Sequence, residues 1–187
     1  VVFVRNPRYF KPGKPYLDKI IAYVNIAPST IALKVEKGEL TGFGTDNDIT
    51  AADLMHARDD PIYRHYLVNA PSTAVVWLTQ NPHTEALSSP AIRQAIAMAI
   101  DRRHLIQVLG GNAFPAHQFY ITLDTQYDPT LDRQPAYGYD PQKAAALVKA
   151  SGYHGQPIKL LFANDNPGQT SMAPVIQQEL QQIGLNV

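Results

Sequence analysis

Ile158-Lys159-Leu160-Leu161-Phe162, then Ala173, Ile176, Leu180 and Ile183 at helical spacing, then Gly184-Leu185-Asn186-Val187, form the stretch whose reading decides the fold class. The first is an apolar run of strand length. The second is one face of an amphipathic helix, and the third resumes an extended run after a helix-ending glycine. Strand, helix and strand in succession imply a right-handed crossover in a mainly parallel sheet. The expected class is therefore α/β, a mixed, mainly parallel sheet with flanking helices.

Upstream, Asp140-Pro141 places a capping carboxylate before a proline at the first helical position, and Ala144, Leu147 and Val148 mark a buried stripe that ends at Ser151-Gly152. Ser89-Pro90 repeats the device before the most regular helix in the chain. There Ile92, Ala95, Ile96, Ala99 and Ile100 share one face, while Arg93, Gln94 and Asp101 fall elsewhere. A further turn or two carries Leu105, Ile106 and Leu109 to a Gly110-Gly111 stop. Residues 112–138 show no sustained period and read as a long, aromatic-rich connection with Phe114, Phe119, Tyr120, Tyr127 and Tyr137, of the length that often carries function.

The first third of the chain reads as shorter elements. Val1–Val4 and Ile20–Asn25 predict strands, the second apolar enough to be covered on both faces. Ser29 or Thr30 is expected to cap a helix carrying Ile31, Leu33 and Val35, with Gly38 beyond its end. Residues 42–48 read as a loop. Thr50-Ala51-Ala52-Asp53 has capping-box spacing and opens a helix to about Arg58. Ile62–Asn69 and Ala74–Asn81 predict two strands around a turn at residues 70–73, with Val75, Trp77 and Thr79 on one face of the second. The first residues already read as strand and the last ones begin another, so both ends are expected to be cuts in a longer protein.

Composition removes several functions. Sixteen Lys and Arg balance sixteen Asp and Glu, so no global field draws the chain to nucleic acid. Cysteine is absent, which excludes disulfides, thiolate zinc sites and cysteine nucleophiles. No apolar run approaches the roughly 20 residues that span a bilayer. The six histidines lack metal-ligand spacing, and Asp46-Asn47-Asp48 lacks the glycine and terminal glutamate of a calcium loop. Gly42-Phe43-Gly44 lacks the third glycine of a dinucleotide fingerprint, and no serine sits in a Gly-x-Ser-x-Gly setting. No catalytic residue, metal site or cofactor is expected.

Five segments, in order, resemble the family 5 solute-binding proteins, the dipeptide, oligopeptide and nickel binders of ABC importers. They are Arg5-Asn6-Pro7 through Gly13-Lys14-Pro15-Tyr16-Leu17-Asp18, Ser29-Thr30 with Lys37-Gly38-Glu39, Asn81 with Ala91 through Arg102, Tyr139 through Ala144 with Ser151-Gly152-Tyr153, and Ile183 through Val187. Two departures are Thr41, where the family usually has Asp, and His117-Gln118-Phe119, which is not the common family pattern. The resemblance implies a periplasmic-binding-protein type II-like two-lobe fold with this chain as its central part. Residues 1–48 would close the first lobe, including a crossover strand, and residues 49–187 would form the first half of the second. It also implies a periplasmic or lipid-anchored cell-surface protein that is not an enzyme, binding a short peptide or similar solute and delivering it to an ABC permease. A ligand-sensing domain of a cytoplasmic transcription regulator with the same fold, or a peptide or sugar hydrolase, are the alternatives.

On that reading Trp77 is the first candidate for solute contact, either facing the cleft or packed as a core tryptophan between sheet and helix. Thr79 shares its strand face. Phe119 and Tyr120 either line the cleft or pin their own loop. Arg93 and Asp101 are expected to tie their helix to neighbouring segments.

Overall fold

The computed structural model describes residues 1–42, 49–68, 74–133 and 135–187. Phe43-Gly44, Asp46-Asn47-Asp48 and the turn expected at residues 70–73 lie outside the described residues. Among the described residues two strands, β1 (Val2–Val4) and β2 (Lys19–Ile21), precede seven α-helices: α1 (Pro28–Glu36), α2 (Ala51–Asp59), α3 (Pro90–Ala99), α4 (Arg102–Val108), α5 (Pro129–Arg133), α6 (Pro141–Ala150) and α7 (Pro167–Gln182).

The core is built on α3. Ile92, Ala95, Ile96, Met98, Ala99 and Ile100 are buried together with Ala144 and Val148 of α6 and Leu180, Ile183 and Leu185 at the end of α7. Ala95 and Ala144 are both 0% exposed. Small residues on the two facing helices let the backbones approach, and the Asp140 amide donates to the Met98 carbonyl at 2.8 Å, fixing the start of α6 against the end of α3.

Capping follows the sequence closely. Thr50 Oγ1 accepts from the Asp53 amide at 3.1 Å and donates to the Asp53 carboxylate at 2.6 Å. Asp140 Oδ1 accepts from the Lys143 amide at 2.9 Å. Asp101 caps α4 through the Arg103 and His104 amides, at 2.9 and 3.2 Å. After α4 the Gly111 amide reaches back to the Ile106 carbonyl and the Gly110 amide to Gln107, the paired bonds of a Schellman stop. Gly110 and Gly111 hold φ of 73° and 74°, which a side chain would strain. Arg58 Nη1 donates to the Gly110 carbonyl at 2.8 Å, tying α2 to this turn.

Two expected caps differ. The N-cap of α1 is Ala27, with Pro28 opening the helix ahead of Ser29 and Thr30. Ser89 caps α3 without its hydroxyl; Pro90 fixes the first helical turn, and the Ser89 carbonyl accepts from the Arg93 amide at 3.3 Å.

The strands are where the sequence reading fails. Among the described residues the one ladder is β1 with β2, antiparallel, with Val2 opposite Ile21 and Val4 opposite Lys19. It is exposed along both strands rather than covered on both faces. Residues 62–68 contain a 3₁₀ turn (Tyr63–Tyr66) in place of a strand, because Asp60 Oδ1 draws in the Ile62 and Tyr63 amides at 2.7 and 3.2 Å. Residues 74–81 form no ladder among the described residues.

The pair expected between residues 158–162 and 185–187 makes one backbone bond, from the Ile158 amide to the Asn186 carbonyl at 2.8 Å. Side chains take two further backbone groups. The Asn186 amide donates to the Tyr153 hydroxyl at 2.9 Å, and the Gln177 and Gln181 amides donate to the Val187 carbonyl at 2.9 and 3.0 Å. A strand is a pairing of backbone groups, and the Asn186 amide and Val187 carbonyl are paired otherwise.

Glu179, buried on α7, ties this helix to the α3–α4 junction. Its Oε2 accepts from the Asp101 amide at 3.1 Å, and its Oε1 lies 3.1 Å from His104 Nδ1. Asp101 and Arg93 are thus tying residues, as expected; Arg93 Nη1 donates to the Leu87 and Ser88 carbonyls at 2.7 and 2.9 Å.

Ile92, 1% exposed, and Leu161, 87% exposed, separate the observed core from the expected strand. Ile92→Ala should lower unfolding free energy by about 2–5 kcal/mol. Leu161→Ala should change it by no more than about 0.5 kcal/mol. Urea unfolding of the two variants checks both, and a large loss from Leu161→Ala would restore the buried strand.

Candidate functional site: an aromatic wall on a pinned loop

Of the four residues singled out in the sequence, the structure brings three together. The rings of Trp77 and Phe119 stack with centroids 4.6 Å apart and planes 15° from parallel, and Tyr120 meets Phe119 edge-on at 5.7 Å. Within this chain Trp77 is 57% exposed and Phe119 65%. Thr79 is exposed two residues on from Trp77. The stack joins two segments far apart in sequence, each anchored on α3.

Trp77 enters through the segment leading to Asn81. Asn81 Oδ1 accepts from the His83 amide at 3.0 Å and opens the turn that feeds the 3₁₀ segment Ala86–Ser88 and then α3. Gln80 points inward beside it. Its Nε2 reaches the Arg93 carbonyl at 3.5 Å, a long contact, and its Oε1 is buried without a hydrogen-bond partner.

Phe119 enters from the other end of α3. Arg102 spans the junction, donating through Nε to the Ala116 carbonyl at 3.1 Å and through Nη1 to the Ala97 carbonyl at 3.4 Å. The loop is then clamped to α5. The His117 amide donates to Asp132 Oδ1 at 3.3 Å, and Tyr127 donates its hydroxyl to Asp132 Oδ2. Gln118 and Asp128 exchange two bonds, Nε2 to the Asp128 carbonyl at 2.8 Å and the Asp128 amide to Oε1 at 3.0 Å. Arg102, Asp132, Tyr127 and Gln118 position the wall, and none was evident in the sequence as a site residue. One signal was available: Asp128-Pro129 repeats the cap-plus-proline device of Asp140-Pro141, and Asp128 Oδ1 accepts from the Thr130 amide at 2.8 Å as α5 begins.

Electrostatically the wall is quiet. The Tyr127 hydroxyl holds the Asp132 carboxyl below its ordinary value, and the Thr130 hydroxyl does the same for Asp128. Burial, with the Arg102 guanidinium second, lowers His117 and favours its neutral form. Charges around the rings are thus engaged in holding the loop. No group of three or more His, Asp or Glu among the described residues is placed to hold a metal ion, and no helix among them is long and apolar enough to cross a membrane.

The profile of the bacterial extracellular solute-binding proteins, family 5 (Middle), matches residues 1–187. The chain belongs to this family. It is 30% identical over 205 residues to the nickel-binding periplasmic protein of Escherichia coli, covering all of this chain and 37% of that protein. It is 27% identical over 192 residues to di/tripeptide-binding protein 2 of Pseudomonas aeruginosa, covering all of this chain and 34% of that protein. Among solved structures, NikA from Brucella suis in complex with Fe(III)-EDTA superposes with a TM-score of 0.70 at 22% identity, over 100% of this chain and 39% of that one. The chain spans about a third of the length of these family 5 relatives. Its fold is the central part of the periplasmic-binding-protein type II-like α/β fold.

The clamp on the aromatic loop should respond to acid in two steps. His117 has a lowered folded pKa, so the unfolded loop takes up the proton first and the hold weakens as pH falls below about 6.5. Asp132 also has a lowered folded pKa; its contribution is present above about 3.9 and is lost as pH falls through the depressed value. Trp77 is the chain's one tryptophan, so its fluorescence against pH reports both steps. Tyr127→Phe should move the lower step to higher pH, and an unmoved lower step would detach Asp132 from the clamp.

Proposed function

We propose that this chain is the solute-facing centre of an extracytoplasmic binding protein that holds a short peptide and delivers it to an ABC permease. The observation that carries this is the Trp77–Phe119 stack, two large exposed rings, one on the segment that leads to Asn81 and one on the loop clamped by Arg102 and α5. Leaving such surface exposed costs stability, and clamping it limits the entropy lost when a ligand covers it. Aromatic faces accept many side chains, which suits a carrier of varied peptides. Thr79, on the same segment, is assigned a hydrogen bond to the solute backbone, and Tyr120 widens the wall.

The relatives supply the class of activity: the P. aeruginosa relative is a di/tripeptide-binding protein and the E. coli relative a nickel-binding one. A peptide is favoured over a metal for this chain because its wall is aromatic and its nearby charges are already engaged. Residues 1–48 are assigned to the end of one lobe and residues 49–187 to the start of the other. The exposed β1–β2 pair, separate from the core built on α3, supports that division. The protein works at the periplasmic or outer face of the cell and retains its solute without transforming it.

Trp77→Ala, made in the protein that carries this chain, should weaken peptide binding by about tenfold or more. Its unfolding free energy should stay within about 0.5 kcal/mol. Calorimetric titration with a di- and tripeptide mixture, alongside urea unfolding, checks both; unchanged affinity with lost stability would return Trp77 to a structural role.

A further inference from the structure

The stretches that carry Trp77 and Phe119 meet a second time, away from the rings. Trp77 lies downstream of α2, and Phe119 lies downstream of the glycine stop that ends α4. Arg58, in the last turn of α2, donates through Nη1 to the Gly110 carbonyl at 2.8 Å. This bond joins the two stretches near their roots, and the stacked rings, with centroids 4.6 Å apart, join them further along.

The backbone at this contact is shaped for a close approach. A Cβ on Gly110 would stand 3.3 Å from the Ala51 carbonyl oxygen and 3.5 Å from the Ala51 Cα, and one on Gly111 would lie 3.7 Å from Arg58 Nη1. Ala51 opens α2 and Arg58 follows seven residues later, so the two share a face of the helix. The glycine stop of α4 therefore seats α2 along that face. Its left-handed φ already favours glycine at residue 110, and the nearness of Ala51 leaves little room for a side chain. The seat also fixes what leaves α2. The Asp60 amide donates to the His56 carbonyl at 2.9 Å, Asp60 Oδ1 accepts from the Ile62 and Tyr63 amides, and the Arg64 amide donates to the Asp60 carbonyl at 3.0 Å. The chain is thereby carried with the helix as far as the 3₁₀ turn at Tyr63–Tyr66. Beyond Trp77, the Asn81 turn and the bonds of Arg93 hold the same stretch to α3. A stretch held at both ends samples fewer conformations than one held at a single end. Unseating α2 would leave Trp77 held from the α3 side, and its stacking on Phe119 would be less populated.

We propose that the Arg58–Gly110 bond braces the aromatic wall, and that Arg58 is a positioning residue that acts on solute binding through Trp77. The brace follows from contacts within the chain. Its effect on solute rests on the reading of the wall as a peptide surface, so the two are tested by separate measurements.

The first measurement is fluorine NMR, without solute, of the protein that carries this chain, labelled with 5-fluorotryptophan. The Trp77 signal is assigned by its loss in Trp77→Phe. Phe119→Leu removes the stacked ring and so gives the shift of an unstacked Trp77. Arg58→Ala should move the signal in the same direction. A signal that Phe119→Leu or Arg58→Ala leaves in place would overturn the brace, even if Arg58→Ala lowered stability in urea, since a tie that serves stability alone would not move it. The second measurement is calorimetric titration with the di- and tripeptide mixture. Arg58→Ala should weaken binding about two- to thirtyfold. In a Trp77→Ala background it should add nothing, because the two residues act as one unit. Equal losses in both backgrounds would overturn the action through Trp77. A moved fluorine signal in a protein that binds no peptide would support the brace and overturn the peptide reading of the wall.

Discussion

The close packing of α3 is the constraint on which the rest depends. Its buried face joins α6 through alanines that are fully buried on both helices, and α7 closes over the same cluster. Both arms of the aromatic wall grow from the ends of this helix. Arg93 holds the segment that enters α3, and Arg102 holds the loop that follows α4. A shift of α3 would therefore move Trp77 and Phe119 together, and a stacked pair drawn from residues 42 apart needs such a common base.

Electrostatics are divided by place in the same way. Around the wall, Asp132, Asp128 and Arg102 spend their hydrogen bonds on holding backbone and hydroxyl groups, so the rings face solvent beside engaged charges. In the loop of residues 5–19, Lys11 and Lys14 place their ammonium groups over the rings of Phe10 and Tyr16. The family assignment gives the wall its context, since relatives of this family are solute binders by name.

The helices were legible because their signals are local. Thr50 and Asp140 cap as their spacing implies, and the glycine stops at residues 110–111 and 184 hold positive φ. Strands were not, because an apolar run does not say which backbone it will meet. Residues 158–162 and 185–187 had the right composition, yet Tyr153, Gln177 and Gln181 take the Asn186 amide and the Val187 carbonyl that a ladder could have used. For Tyr63–Tyr66 a single carboxylate, Asp60, outweighed the β-like composition. Within the wall, Trp77, Phe119 and Tyr120 stood out as aromatic residues in suggestive places. The Tyr127–Asp132–His117 clamp could not, because it is made by contacts between a loop and a helix that showed no period.

Retention of an unaltered solute is the behaviour that separates a carrier from an enzyme built on similar surfaces. Native mass spectrometry of the protein that carries this chain, purified without added ligand and then incubated with a di- and tripeptide mixture, addresses that directly. The account predicts a mass increase matching an intact short peptide, released with that mass unchanged on denaturation. Appearance of shorter products in the mixture, or no peptide adduct at all, would contradict it.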